Sequence, residues 1–185
     1  MSTNLNNLFY DCLDSDTINK LLTEKFDWKP NRIIYEIFPY EGKDNRISEF
    51  AKITKAENEP LHSKIKDCFE TANNFYNYNL DGNISIKIQR YNTAGYMDWH
   101  VDEKVENGVG SFGSSNIRML TMSLLLNENF EGGKMSIRNP EESITTEYAG
   151  PIGNAVVFPS TWLHKVDPIN NGIRYVLTAW AYGDI

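Results

Sequence analysis

The chain predicts a mainly β fold with flanking α-helices: a double-stranded β-helix, that is, a jelly roll of the cupin-like kind, with N-terminal helices packed on one sheet. Three observations predict it. After Gly82 the sequence changes to short runs of β-branched and aromatic residues divided by turn residues, the pattern of an all-β sandwich or barrel. Before Gly82, two stretches repeat apolar residues at the three-to-four spacing of a helix face. With 185 residues, 41% hydrophobic and 12% aromatic, the chain has material for one packed core and would be cramped as two. Residues 1–185 are therefore expected as one domain, with 1–82 a helical support layer and 83–182 the jelly-roll core.

The elements follow in order. Asp14-Ser15-Asp16 offers capping oxygens ahead of Ile18, Leu21, Leu22 and Phe26, and Pro30 forbids continuation, so helix one is predicted over 15–26. Arg32 to Phe38 is β-branched and aromatic and suits a strand, whereas 39–60 is mixed and charged and carries no assignment. From Pro60, a residue suited to a first helical turn, Leu61, Ile65, Phe69, Ala72 and Tyr76 share one face as far as Asn77 and the Asp81-Gly82 turn. Strands are then predicted over 84–91, 96–101, 118–126, 134–138, 143–148, 154–158, 162–166 and 173–181. Eight strands in two sheets would close most of their edges. Glu103 to Asn116, with three glycines and three serines, is too polar for core and reads as a lid.

Composition narrows the function. Eighteen Lys and Arg against twenty-five Asp and Glu give a net charge of −7, which disfavours a general nucleic-acid surface, since phosphates need clustered positive charge. Two cysteines, Cys12 and Cys68, cannot build a dense disulfide framework, and no charged-then-apolar leader opens the chain. The expected location is cytoplasmic. No apolar run approaches the roughly 20 residues that span a bilayer, so no membrane partner is expected.

Three histidines are present. His100 and Asp102 flank Val101, and in a strand residues two apart point to one face, which brings an imidazole and a carboxylate together. His164, in Trp162-Leu163-His164-Lys165-Val166, supplies a third donor from another predicted strand. Two histidines and a carboxylate on a rigid β scaffold form the facial triad of non-haem Fe(II) oxygenases. In a chain so rich in acids the His-x-Asp spacing is weak evidence alone, and His100 by itself reads equally as structural. Arg174 strengthens the case, for it stands in the otherwise apolar run Ile173-Arg174-Tyr175-Val176, where a guanidinium requires an anion. A carboxylate cosubstrate or an internal salt bridge would satisfy it. Thr178, four residues on, points the same way and could add a hydroxyl donor.

These residues belong to a longer series: Tyr91 in Arg90-Tyr91-Asn92-Thr93-Ala94-Gly95-Tyr96; the His100/Asp102 pair; Arg118-Met119-Leu120-Thr121; Asn127 through Gly132-Gly133; Gly153-Asn154-Ala155-Val156-Val157-Phe158-Pro159; His164; and Arg174 through Trp180. In order and spacing the series resembles the prolyl 4-hydroxylase-like 2-oxoglutarate- and Fe(II)-dependent dioxygenases over about residues 84–182. The resemblance implies that His100, Asp102 and His164 ligate iron, that Arg174 and Thr178 hold the distal carboxylate of 2-oxoglutarate, and that Tyr91 reaches the cosubstrate or lines its pocket. Arg118 and Trp180 match positions that approach the substrate. Fe(II), with 2-oxoglutarate and O₂ as cosubstrates and ascorbate as reductant, is the implied set, and a prolyl residue in a peptide or protein is the implied target. Two departures stand out. Leu125 occupies the position where many prolyl hydroxylases carry a tyrosine against the cosubstrate carboxylate, and Arg174 replaces the lysine of collagen-type enzymes. Related halogenases lack the carboxylate that Asp102 supplies.

Three rival readings remain open at this level. A hydroxylase of a free amino acid or small metabolite would use the same site. An AlkB-type nucleic-acid demethylase would carry a second arginine six residues after the anchoring one, where this chain has Trp180. A non-enzymatic cupin-like metal-binding module would have no use for a buried Arg174.

Overall fold

Whether a strand residue faces a helix or the opposite sheet is decided here by alternation along the chain, and two antiparallel sheets result. The computed structural model describes residues 9–31, 46–105, 117–139, 144–148 and 150–184. In chain order its elements are β1 (Phe9–Asp11), α1 (Ser15–Thr23), β2 (Lys29–Pro30), β3 (Arg46–Ile47), β4 (Glu49–Ile53), α2 (Glu59–Tyr76), β5 (Asn79–Tyr91), β6 (Tyr96–His100), β7 (Ile117–Leu125), β8 (Phe130–Gly132), β9 (Met135–Asn139), β10 (Ile144–Tyr148), β11 (Asn154–Pro159), β12 (Leu163–Val166), β13 (Ile169–Gly172) and β14 (Arg174–Asp184). The larger sheet runs β1-β11-β7-β14-β5-β4-β2, the smaller β10-β9-β12-β6-β3, and β13 pairs with β8 beside them. This is a jelly roll, as the sequence predicts.

Successive residues of β14 show the layering. Leu177, Ala179 and Ala181 join Ile86 and Ile88 of β5, Leu120, Met122 and Leu124 of β7, and the helix residues Ile18, Leu21, Leu61, Ile65, Phe69 and Ala72 in one core. Val176, on the opposite side, joins Tyr91, Met97, Met135, Ile137, Tyr148, Val156, Phe158, Val166 and Ile169 in a second core between the sheets. A period of two thus places Arg174, Val176, Thr178 and Trp180 on the inner side of the roll.

Capping fixes the helices. Asp14 accepts the Thr17 N–H at 2.8 Å and pairs with Lys64 of α2, while Asn58 accepts the Leu61 N–H at 3.2 Å ahead of Pro60. Asn77 closes α2 in the left-handed region at φ 56°. Helix α1 stops at Thr23, short of the predicted 26, because the Thr23 hydroxyl donates back to the carbonyls of Asn19 and Lys20 and Glu24 turns extended. Phe26 still packs on the helix-side core, but from outside the helix.

The eight predicted strands are present with ends moved by a few residues. The support layer differs from expectation in kind: residues 1–82 contribute β1, β2 and β4 to the larger sheet and β3 to the smaller, besides the two helices. The predicted strand over 32–38 and the lid beyond Val105 lie outside the described residues. Cys12 and Cys68 are joined in a disulfide between the residue after β1 and α2. No helix among the described residues is long and apolar enough to cross a membrane.

Candidate active site

Backbone register brings the two candidate imidazoles together: His164 of β12 is the cross-strand partner of His100 at the end of β6, with ring centroids 4.0 Å apart. Strand β6 ends there, and the Asp102 N–H then donates to the Ser160 carbonyl at 2.9 Å, which turns the Asp102 carboxylate back toward both rings. Its Oδ1 lies 3.7 Å from His100 Nε2 and its Oδ2 3.5 Å from His164 Nε2. The three ligand atoms lie within 4.8 Å of one another. The predicted trio therefore converges, though Asp102 does so from beyond the strand.

Hydrogen bonds set the chemistry of each donor. His100 Nδ1 is 2.8 Å from the Asp98 carbonyl and His164 Nδ1 3.0 Å from the Trp162 carbonyl. A carbonyl only accepts, so each Nδ1 carries a proton, and each Nε2 is the ring atom turned to the centre of the trio. Burial, reinforced by the neighbouring His164, holds the His100 imidazole well below its ordinary pKa and keeps it neutral. Burial alone would push Asp102 up; the adjacent His164 and His100 and the donors Trp180 and Thr121 outweigh it and hold the carboxyl below its usual range. Two imidazole Nε2 atoms and one carboxylate on one side of an open centre are a donor set suited to a divalent metal such as Fe(II).

Asp102 is itself pinned. Its Oδ2 accepts from Thr121 Oγ1 at 2.8 Å and from Trp180 Nε1 at 2.9 Å, and its carbonyl accepts from Arg118 at 2.9 Å. Ser160 Oγ lies 2.9 Å from Thr121 Oγ1 and completes the chain of hydroxyls. Arg118 and Trp180, expected to approach the substrate, thus make their hydrogen bonds to Asp102. The sequence reading assigned no role to Thr121 or Ser160, although Thr121 ends the run Arg118–Thr121 and Ser160 follows Pro159; serine and threonine are too common in strands to stand out.

Arg174 is 3% exposed, and its NH1 has no hydrogen-bond partner among the described residues. The guanidinium sits 5.6 Å from the Tyr91 ring, its cross-strand partner on β5. Burial pushes the Arg174 pKa down, and among the described residues it is Tyr91 and Tyr148, not a carboxylate, that partly offset it. Gly133, at φ 63°, leaves room for this side chain, since a Cβ there would come within 3.0 Å of Arg174 Cδ. A buried guanidinium with one nitrogen unpartnered fits a missing carboxylate, and no ion pair to Arg174 occurs among the described residues. Thr178 lies on the same side of β14, but its hydroxyl donates to Gln89 Oε1 at 2.7 Å. Tyr91 is 2% exposed and packs in the inner core, as does Phe158, whose ring lies 5.0 Å from that of His164. One apolar wall therefore serves both the trio and Arg174.

Comparison with known proteins agrees. The family profile of the 2OG-Fe(II) oxygenase superfamily matches residues 86–182. A PKHD-type hydroxylase of Crocosphaera subtropica is 31% identical over 98 residues, 53% of this chain and 42% of that protein. Another from Aliarcobacter butzleri is 32% identical over 136 residues, 68% and 57% respectively, so the chain spans about half the length of the relatives it matches. Among solved structures, a Trichoplax adhaerens prolyl hydroxylase in complex with a hypoxia inducible factor oxygen degradation domain peptide fragment superposes with a TM-score of 0.66 at 18% identity, covering 97% of this chain and 86% of that one. A Pseudomonas putida prolyl-4-hydroxylase gives 0.62 at 16%, covering 91% and 98%. At such identities the likeness is one of fold.

Proposed function

Because this chain belongs to the 2OG-Fe(II) oxygenase superfamily, we propose that it is an Fe(II)- and 2-oxoglutarate-dependent hydroxylase of a prolyl residue in a peptide or protein. Turnover would be coupled to decarboxylation of 2-oxoglutarate to succinate. The observation that carries this reading is the pairing of an open His-Asp-His trio with a buried arginine, Arg174, whose NH1 has no hydrogen-bond partner among the described residues. The peptide target is supported by the prolyl hydroxylase fold neighbours, one of them in complex with a peptide fragment.

In this reading His100 and His164 offer Nε2 and Asp102 a carboxylate to Fe(II), and the single negative charge of the set offsets part of the metal's charge. When bound, Fe(II) with 2-oxoglutarate and O₂ supplies the oxidising chemistry that converts a substrate C–H into C–OH. The protein's part is positioning. Thr121 and Trp180 hold Asp102 in place, and the two backbone carbonyls hold the imidazoles in the right tautomer. Arg174 takes the distal carboxylate of 2-oxoglutarate by paired N–H donors, Tyr91 and Phe158 exclude water around it, and Thr178 contributes to the same wall. Ascorbate serves as the reductant that keeps the metal ferrous.

The test is direct. Anaerobically purified protein is given Fe(II), 2-oxoglutarate, ascorbate and O₂ with a library of proline-containing peptides and, in parallel, with free amino acids, and succinate and substrate masses are followed. Gain of one oxygen on a prolyl residue, with succinate in step, is the expected result. Oxygen gained only by free amino acids would overturn the peptide reading in favour of a small-molecule hydroxylase.

A further inference from the structure

We infer that the substrate segment is acidic: the cleft beside Asp102 is built to receive a peptide whose target proline is flanked by Asp or Glu. This deepens the peptide-hydroxylase reading and rests on it.

The cleft, about 710 Å³, runs from the first turns of α2 along β5 to Arg118 and Trp180, the two side chains that hydrogen-bond Asp102. Its walls carry Lys52, Lys55, Lys66, Lys87 and Arg118 against one acid, Glu59, in a chain whose net charge is −7. Such a local reversal of sign focuses an attractive field for anions. Only Lys66 among these cations has an ion-pair partner within the described residues, Glu70 at 3.8 Å. Arg118 meets a neutral carbonyl.

Lys87 is the centre of the argument. It is half-buried, and its ammonium lies 4.7 Å from the Phe50 ring and 5.0 Å from the Trp180 ring. The rings offer their π faces but no charge. Directly opposite it across the β4–β5 ladder stands Lys52. Like charges facing each other in a non-diagonal cross-strand pair destabilise a sheet. Burial, with repulsion from Arg118 and Lys52 that the attraction of nearby Asp102 does not offset, brings the Lys87 pKa down to about 8. A carboxylate placed between the two ammonium groups would relieve the repulsion and meet an otherwise unpaired cation, one side chain away from the candidate metal ligand.

The surroundings favour a peptide over another anion. Strand β5 is flanked by β4 and β14 from Ile86 to Arg90, whereas at Ile84 and Ser85 only β14 pairs with it among the described residues. The cleft thus follows an unpaired strand edge, whose N–H and C=O groups suit an extended backbone. A nucleic acid would meet the same cations but then the acidic remainder of the molecule.

The experiment uses the full chain and fluorescein-labelled peptides that are identical except that the central proline is flanked by Asp and Glu, by Ser, or by Lys. Binding is read by anisotropy with Zn(II) and 2-oxoglutarate in place of the active system, and oxygen gain is read separately with Fe(II). The acid-flanked peptide is expected to bind about ten-fold more tightly than the Lys-flanked one at low ionic strength, with the advantage shrinking as salt rises. K87M and K52E should each reduce that advantage several-fold without lowering the melting temperature much. Equal affinities, or a preference untouched by both substitutions, would overturn the inference, as would tighter binding of a single-stranded oligonucleotide. Lys87-dependent binding of the acidic peptide with no oxygen gained would support the acidic cleft and overturn prolyl hydroxylation.

Discussion

His164 faces His100 directly across the β12–β6 ladder, so the separation of the two imidazoles is set by strand register and not by a loop. Each ring is further held by its own hydrogen bond to the carbonyl two residues before it.

His100→Ala and His164→Ala should therefore each abolish stoichiometric Fe(II) binding while the protein stays folded. Each substitution removes one part-buried hydrogen bond, to the Asp98 or the Trp162 carbonyl, a cost of about 0.5–1.5 kcal/mol against a total stability of about 5–15 kcal/mol for a typical domain. Metal content by mass spectrometry and the melting curve of the metal-free protein check both halves. Full iron occupancy in either variant would remove that histidine from the metal set.

Thr121→Val and Trp180→Phe keep the trio but release the Asp102 carboxylate. Partners behind a metal ligand typically alter affinity by about 10–100-fold, and a loss of that size is expected for each variant in competition with a chromophoric chelator. Unchanged metal affinity with a lowered melting temperature would reduce both bonds to ordinary packing.

Arg174→Met should split stability from function. Removing an unsatisfied buried donor relieves about 1–3 kcal/mol, so the ligand-free variant should melt several degrees above the parent, at about 2–4 °C per kcal/mol. The same change should raise the KM for 2-oxoglutarate steeply, by the equivalent of about 2–5 kcal/mol, and erase the melting shift that 2-oxoglutarate gives the parent. A variant that melts lower and still responds to 2-oxoglutarate would contradict the assignment.

Acid should loosen the edge of the larger sheet. Arg90, donating to Glu49 across the β4–β5 ladder at 2.7 Å, holds the Glu49 carboxyl below its ordinary value, with Asn92 as a second donor. A depressed folded-state pKa contributes stability above the unfolded-state value of about 4.3, and that contribution is lost as pH falls through the folded-state value. The pair is about 30% exposed by side chain, 27% and 29%, so roughly 0.5–1 kcal/mol is expected at pH 7. The melting temperatures of the parent and Glu49→Gln should accordingly differ at pH 7 and converge toward pH 3; a constant gap would mean that Glu49 acts through something other than its charge.

Where the sequence was legible, the signal was periodic. Apolar alternation marked the long strands from 84 onward, and the i, i+3, i+4 stripe marked α2, because both elements bury one face against a large core. Six strands went unassigned: Phe9–Asp11, Lys29–Pro30, Arg46–Ile47, Phe130–Gly132 and Ile169–Gly172, which are two to four residues long or carry residues that strands avoid, and Glu49–Ile53, whose alternation is hidden among the charges of 39–60. They exist because a neighbour supplies the ladder, and nothing in three residues announces a neighbour. The site divides similarly. His100, Asp102, His164 and Arg174 were readable because histidine is rare in this chain and a charge inside an apolar run is conspicuous. Trp180 and Arg118 drew attention as substrate contacts, but which polar atom they reach is decided by strand register between β14, β7 and the turn after β6, and no local pattern encodes it.

Strand β14 lies between β5 and β7, although it follows both by many residues. Until residues 174–184 are available, the larger sheet is two halves with exposed edges and no seam, and the helix-side core lacks its central strip. Closing it requires pairing over long sequence separations, the arrangement that makes β-rich proteins fold slowly and leaves them prone to edge association in the meantime. On a ribosome the candidate metal donors would emerge before the arginine, and assembly of the larger sheet would wait for the strand that carries it. The guanidinium would then be enclosed in the same event that joins the halves, so the cosubstrate pocket and the finished sheet would be acquired together.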